Sequence, residues 1–439
     1  MVDCERGDLI LKITTHFRKT AFLVAFLAAL GGLLGVGGAS QVQAASKVVN
    51  ISYWHVNAQT QGGAAVDDLV KNFNKTHPNI QVSAKYNPNM YQGLMQNLQS
   101  AQASNKVPDI VQVGWAYTNY FGSNFKYLTP TAAQSKFDKN SHFITKNFTK
   151  RTLSFAKDSN GKLVGLPYSL STPILYYNKT MLDKYGIKAS DLATWEGVSG
   201  AAKKIKAASG NYGLYIQEPG DTWAQQAVLL SNGAKIIQKG KAAFDSKKGQ
   251  AAYQLYQDMV VKDKTALHTP WAQGMDAFVN GKVAIAYTTV AQASHVKSSV
   301  NFDVQAITSP HFKGQKAVVP VGGSMLAITA QKTAQQKAAW VFEKYMYDNS
   351  SLVTWSKGTG YLPPTSSALK DPTFKSYVND NPMLKPAIAQ IDTAVPWTSF
   401  PKNGLDAEQT MIDARDKILA GSSVKSTLKA AQEKINEQQ

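Results

Sequence analysis

The sequence predicts an α/β fold divided into more than one lobe, and three observations carry that reading. Short β-branched runs alternate with helical apolar stripes from Val48 onward, the repetition that builds parallel sheets. The chain has 439 residues, more than one typical domain holds. At 44% hydrophobic residues it can bury a large core, and its composition is not that of a disordered chain.

Val48–Trp54 is apolar and β-branched and reads as a strand. Val66, Leu69, Val70 and Phe73 follow at helical spacing until Pro78 stops them. Ile80–Lys85 reads as a second strand and Asp109–Val113 as a third. Tyr91, Leu94, Met95 and Leu98 form the helical stripe between them. Gly161–Pro167 leads to Tyr176-Tyr177-Asn178-Lys179 and reads as the chain passing from one lobe to another. Further strands are expected at Val283–Thr289, Phe302–Ile307 and Met325–Thr329. Helical stripes recur at Ala252/Tyr256/Met259, Ala338/Phe342/Tyr345, Ala407/Met411/Ile418 and Val424/Leu428/Ile435.

Arg18 and Lys19 precede an apolar run, Ala21–Leu34, and small residues continue to Ala44. Val42-Gln43-Ala44 has the small-x-small form of a cleavage site, so residues 1–44 are expected to be a secretory signal peptide. As a membrane anchor the run is weakened by Gly31, Gly32, Gly35, Gly37 and Gly38. The mature chain is therefore expected outside the cytoplasm, at the outer face of the cytoplasmic membrane. Cys4, the one cysteine, precedes the cleavage site, which leaves no disulfide, thiolate nucleophile or cysteine metal site. The net charge of +18 comes from scattered lysines. Beyond residue 44 the arginines are Arg151 and Arg415, too few for a reader of bases and phosphates. No nucleic-acid partner is expected.

Six short motifs stand in order along the chain: Tyr53-Trp54-His55, Pro108-Asp109-Ile110-Val111, Gly165-Leu166-Pro167-Tyr168 with Tyr176–Lys179, Gly281–Ile285, Gly322–Met325 and Gly358–Pro363. Together they resemble the extracellular solute-binding proteins of family 1, the group of the maltose- and glycerol-3-phosphate-binding proteins. Tyr86–Tyr91 is closer to the glycerol-3-phosphate branch. The resemblance implies a two-lobed periplasmic-binding-protein-like fold with inter-lobe crossings and a central ligand cleft. It places lobe one at residues 45–160 plus 302–350 and lobe two at 161–301 plus 351–439. The lipid-anchoring cysteine usual after the apolar run of Gram-positive members is missing here, so no lipid anchor is expected.

A sugar pocket needs aromatic plates and polar groups that both donate and accept. Trp54, Trp115, Trp223, Tyr361 and Trp397 are the expected plates, with Tyr91 beside them. His55, Asn57, Ser171, Thr172, Thr288 and Ser324 are the expected hydrogen-bonding residues. Gly114 and Gly323 let backbone approach the ligand. The implied function is a receptor for a sugar or oligosaccharide that works as a monomer without a cofactor or metal. It would hand the ligand to the membrane subunits of an ABC permease. A receptor for glycerol-3-phosphate or a glycerophosphodiester is the alternative, disfavoured by the scarcity of arginine. A secreted glycosidase ranks below both: the sequence has no zinc-helix, serine-elbow or Walker motif, and one sequence cannot pair two facing carboxylates.

Overall fold

The computed structural model describes residues 47–139, 141–218 and 221–438. The expected signal peptide, residues 1–44, lies outside the described residues. Among the described residues, no helix is long and apolar enough to cross a membrane.

In chain order the strands begin with β1 (Val49–His55), β2 (Ile80–Tyr86), β3 (Ile110–Gly114) and β4 (Leu166–Ser171). β5 (Pro173–Asn178) and β6 (Tyr212–Ile216) follow, then a hairpin of β7 (Ile237–Gln238) and β8 (Lys241–Ala242). β9 (Ala266–Leu267), β10 (Val283–Thr289), β11 (Val304–Thr308) and β12 (Gly322–Ile328) complete the set. Two five-stranded sheets result, ordered β2-β1-β3-β12-β4 and β11-β5-β10-β6-β9. β1 is parallel to β2 and β3, and β12 enters antiparallel between β3 and β4. In the second sheet β10 is parallel to β6 and antiparallel to β5, while β11 pairs antiparallel with the far side of β5.

The expected helical stripes become buried faces. Val66, Leu69, Val70 and Phe73 of the helix Gly63–Thr76 join Leu94, Val113 and Leu326 in the first core. Ala407, Met411 and Ile418 of the helix Gly404–Leu419 join Ile285, Tyr256 and Ile435 in the second. Strand alternation separates the two: Leu175 and Ile285 face the second core, and their neighbours Tyr176 and Ala286 face the first.

Sheet membership moves the expected lobe boundaries. β4, expected in lobe two, is a strand of the first sheet because Leu166 to Ser171 pair with β12 before the chain crosses. Thr172 alone separates it from β5 of the second sheet. β11, expected in lobe one, completes the edge of the second sheet, and residues 309–321 return the chain to β12. The helix Asn349–Thr359, mostly expected in lobe two, packs on the helix Gly63–Thr76, and its Leu352, Val353 and Trp355 belong to the first core. Gln390 ties the crossings together. Its amide nitrogen donates to Thr172 Oγ1 (3.0 Å) and Pro173 O (3.0 Å), and its oxygen accepts from Ser309 N (2.7 Å).

Candidate ligand-binding cleft

The carboxyl ends of strands in both sheets converge on one cavity, the usual ligand position in open α/β sheets. Val56 and Asn57 follow β1, Ser171 ends β4, Gln217 follows β6 and Thr289 ends β10. β12 is antiparallel, so it is the amino end of that strand, Gly322-Gly323, that reaches the same place. Both glycines are required there. A Cβ on Gly322 would lie 2.3 Å from Ser171 Oγ and 2.7 Å from the Trp223 ring. Gly323 has φ +107°, and a Cβ on it would lie 2.0 Å from Ser169 O.

The space between the walls is about 580 Å³ with open solvent at the mouth included. Only about 40 Å³ of it is open to the centre of a water-sized sphere, so the walls stand close together and must part to admit a ligand. Tyr91, Trp223 and Trp271 reach in from the first turns of three helices, joined by Tyr361 and Trp397. The rings of Trp223 and Trp397 sit 6.3 Å apart at 47° and form a wedge. The hydroxyls of Tyr91 and Tyr361 are 3.5 Å apart.

The polar side chains of the wall are partly committed. Asn57 donates Nδ2 to Gln61 O (3.0 Å), and its buried Oδ1 has no partner among the described residues. The indole N–H groups of Trp271 and Trp397 also find no acceptor among the described residues. Gln217 Oε1 accepts from Thr288 Oγ1 and from Thr289 N (3.2 Å), which fixes its amide. Asp221 is buried and accepts one bond, from Trp223 N (3.1 Å). Burial, more than any neighbouring charge, pushes its carboxyl up to about 6. Behind it Glu408 accepts from Thr222 N (3.1 Å) and Thr222 Oγ1 (2.9 Å), and burial pushes it up to about 8. Among the described residues, no lysine, arginine or histidine lines the cavity, and no group of three or more metal-ligating side chains is present.

Of the residues expected from sequence, Asn57, Tyr91, Ser171, Trp223, Gly323, Tyr361 and Trp397 line the cavity. The others stand elsewhere, for local reasons. Alternation along β1 turns Tyr53 and His55 inward and Trp54 away, where the Lys85 ammonium lies 4.5 Å above its ring. His55 is buried between Tyr53 and Tyr86, and burial pushes its imidazole down to about 4. Gly114 makes room for Tyr91, whose Cγ would lie 2.4 Å from an added Cβ. Trp115 is turned inward by the 3-10 turn Trp115–Tyr117 and donates Nε1 to Gly322 O (3.1 Å). Thr172 serves the Gln390 tie and Thr288 the Gln217 amide. Ser324 accepts from Gln112 Nε2 (3.0 Å) and donates to Ser169 Oγ (3.2 Å).

Sequence reasoning missed Trp271, Gln217 and Gln292 in the wall. It missed Asp221 as well, which accepts Trp223 N at the start of its helix and lines the cavity. Asp221 and Trp271 stand at or just before a helix start that follows a strand, the one signal in the sequence that could have drawn them in.

The model of the bacterial extracellular solute-binding proteins matches residues 68–386 of this chain. The sn-glycerol-3-phosphate-binding periplasmic protein UgpB of Yersinia pestis is 25% identical over 360 residues, covering 79% of this chain and 81% of its own. Two solved structures share the fold. UgpB from Mycobacterium tuberculosis in complex with glycerophosphocholine has TM-score 0.77 at 21% identity, covering 88% of this chain and 97% of that one. Maltose-bound MalE3 of T. maritima has TM-score 0.78 at 19% identity, covering 89% and 100%.

Proposed function

The chain belongs to the bacterial extracellular solute-binding proteins, and we propose that its cleft captures a sugar, a polyhydroxylated ligand without an anionic group. It is the solute-binding subunit of an ABC importer. The observation that carries the sugar reading is the wall chemistry: among the described residues, three indoles, two phenols and one buried carboxylate, with no basic side chain. Ring faces match the apolar face of a sugar, and the free indole N–H groups and Asn57 Oδ1 match hydroxyls that donate and accept. A phosphate ester would enter this wall with its charge uncompensated and Asp221 beside it, at a large desolvation cost.

The second reading is a glycerol-3-phosphate or glycerophosphodiester receptor, favoured by the names of the relatives. The missing cation in the wall weighs against carrying their ligand across to this chain. Capture works by closure. Ligand contacts on both sheets are complete only when the walls meet, so binding draws the population toward the closed form. That form, a monomer outside the cytoplasm, docks on the permease subunits and releases the ligand chemically unchanged.

A thermal-shift panel of sugars and glycerophosphates tests the reading. A ligand at 100 times its Kd adds about 2.7 kcal/mol to stability. Stabilisation by glycerophosphates alone would transfer the function to the second reading.

A further inference from the structure

Among the described residues, Asp221 is the only carboxylate of the cavity wall, and no cationic side chain lines the wall beside it. Its one hydrogen bond among the described residues comes from the backbone N–H of Trp223. Arg415, the cation whose field reaches it, stands outside the wall and donates Nε to Asp416 Oδ1 at 2.9 Å. A buried carboxylate left with a single neutral donor is costly. Two features of the wall favour positive charge as well. Asn57 Oδ1, in a residue only 4% exposed, is an acceptor without a donor. The aromatic rings of the wall present negative faces, and the Trp223–Trp397 wedge is the shape that holds a cation against indole.

Resting on the reading of the cleft as a sugar site, we infer that the preferred sugar carries a protonated amine, held by Asp221 against the aromatic wall. An ammonium donates charge-assisted hydrogen bonds to the carboxylate, stronger than those of a hydroxyl. Asn57 Oδ1, in the same wall, can accept from a hydroxyl of the ligand. The indole N–H groups of Trp271 and Trp397 remain for hydroxyl or ring oxygens at the other positions. This distribution sorts ligands by charge: an amino sugar gains a partner that its neutral parent lacks, and an anionic sugar meets repulsion.

Calorimetry of the full mature chain at pH 7.5 tests this with matched pairs. Each pair is a hexosamine and its neutral hexose (glucosamine and glucose, galactosamine and galactose, mannosamine and mannose), with the N-acetylated form as an uncharged control. Within the pair whose stereochemistry fits, the amine should bind at least about tenfold tighter than both uncharged forms. In Asp221→Asn that ratio should collapse toward one. Neutral hexoses binding as tightly as their amines in the unaltered chain would overturn the inference and leave the sugar reading standing. An unchanged ratio in Asp221→Asn would overturn the role of Asp221. Binding of no sugar of either kind would overturn both readings. The ligand ratios in the unaltered chain decide the matter even if Asp221→Asn fails to fold.

Discussion

Trp115 and Trp223 hold the same short segment from opposite sheets: Trp115 donates its indole N–H to Gly322 O (3.1 Å) and Trp223 donates to Pro320 O (3.2 Å). Trp115 follows β3 of the first sheet, and the helix of Trp223 packs Ala224 and Ala227 into the second core. Between them runs the crossing that delivers Gly322-Gly323 to the cavity.

This makes Trp115 a positioning residue. Trp115→Ala should cost about 3–5 kcal/mol of stability through the cavity it leaves. Once folded, it should also weaken ligand binding, because the carbonyl it holds belongs to the cavity wall. Melting curves and calorimetry on one preparation separate the two effects. Normal affinity in a destabilised variant would mean that the crossing keeps its place without the indole.

Trp397 and Trp340 make a contrasting pair. Trp397→Ala removes a wall of the wedge and should cost about 2 kcal/mol or more in binding, roughly thirtyfold in Kd. Ligand-induced compaction in solution scattering should shrink with it, since closure is driven by contacts made only in the closed form. Trp340 is buried in the first core beside Phe143. Trp340→Ala should lower the melting temperature and leave the affinity of the folded protein nearly unchanged. The reverse pattern would place the cleft elsewhere.

Gln390 joins Thr172, Pro173 and Ser309, three points on two crossings. Gln390→Leu should leave the Ser309 N–H and Pro173 O without this partner, at a cost of about 1–3 kcal/mol. The balance of open and closed forms should shift as well, measurable as a change in ligand-free radius of gyration. Unaltered stability together with an unaltered radius would reduce the tie to incidental contact.

The Glu408 carboxyl has a sign that can be worked out. Burial raises it from 4.5 to about 8, so the folded form binds a proton that the unfolded form gives up. Its stabilising share is full below pH 4.5 and is lost as pH rises through 8. Glu408→Gln should match the parent at pH 4 and exceed it at pH 9 by on the order of 2–4 kcal/mol. Denaturant melts at the two pH values check this, and parallel curves across the range would mean that Glu408 ionises as freely as in the unfolded chain.

Much of this was legible in the sequence, because period-two and helical stripes report burial directly. The strands expected at Val283–Thr289 and Asp109–Val113, found at Val283–Thr289 and Ile110–Gly114, and the faces of the flanking helices follow from such patterns. The cleft was half legible. Asn57, Tyr91, Trp223, Tyr361 and Trp397 announced themselves as aromatic or amide side chains near strand ends or in motif loops. Trp54 and Trp115 looked equivalent, yet alternation along β1 and a 3-10 turn after β3 rotate them out of the wall. Asp221 and Trp271 were obscured because their meaning depends on neighbours far away in sequence, such as Gly322 and Trp397. The crossings moved because edge pairing, as of β4 with β12 and β11 with β5, is decided by partners distant in the chain.

The central claim is that this cleft takes a sugar and turns anions away. Indole fluorescence of the unaltered mature chain tests it most directly, because Trp223, Trp271 and Trp397 all line the cavity. The measurement is a titration with sugars and with sn-glycerol-3-phosphate, at low salt and at physiological salt, where screening acts beyond about 8 Å. The account predicts a saturable change with a sugar and none with sn-glycerol-3-phosphate at either salt concentration. A saturable change with sn-glycerol-3-phosphate that weakens steeply as salt rises, and none with any sugar, would contradict it.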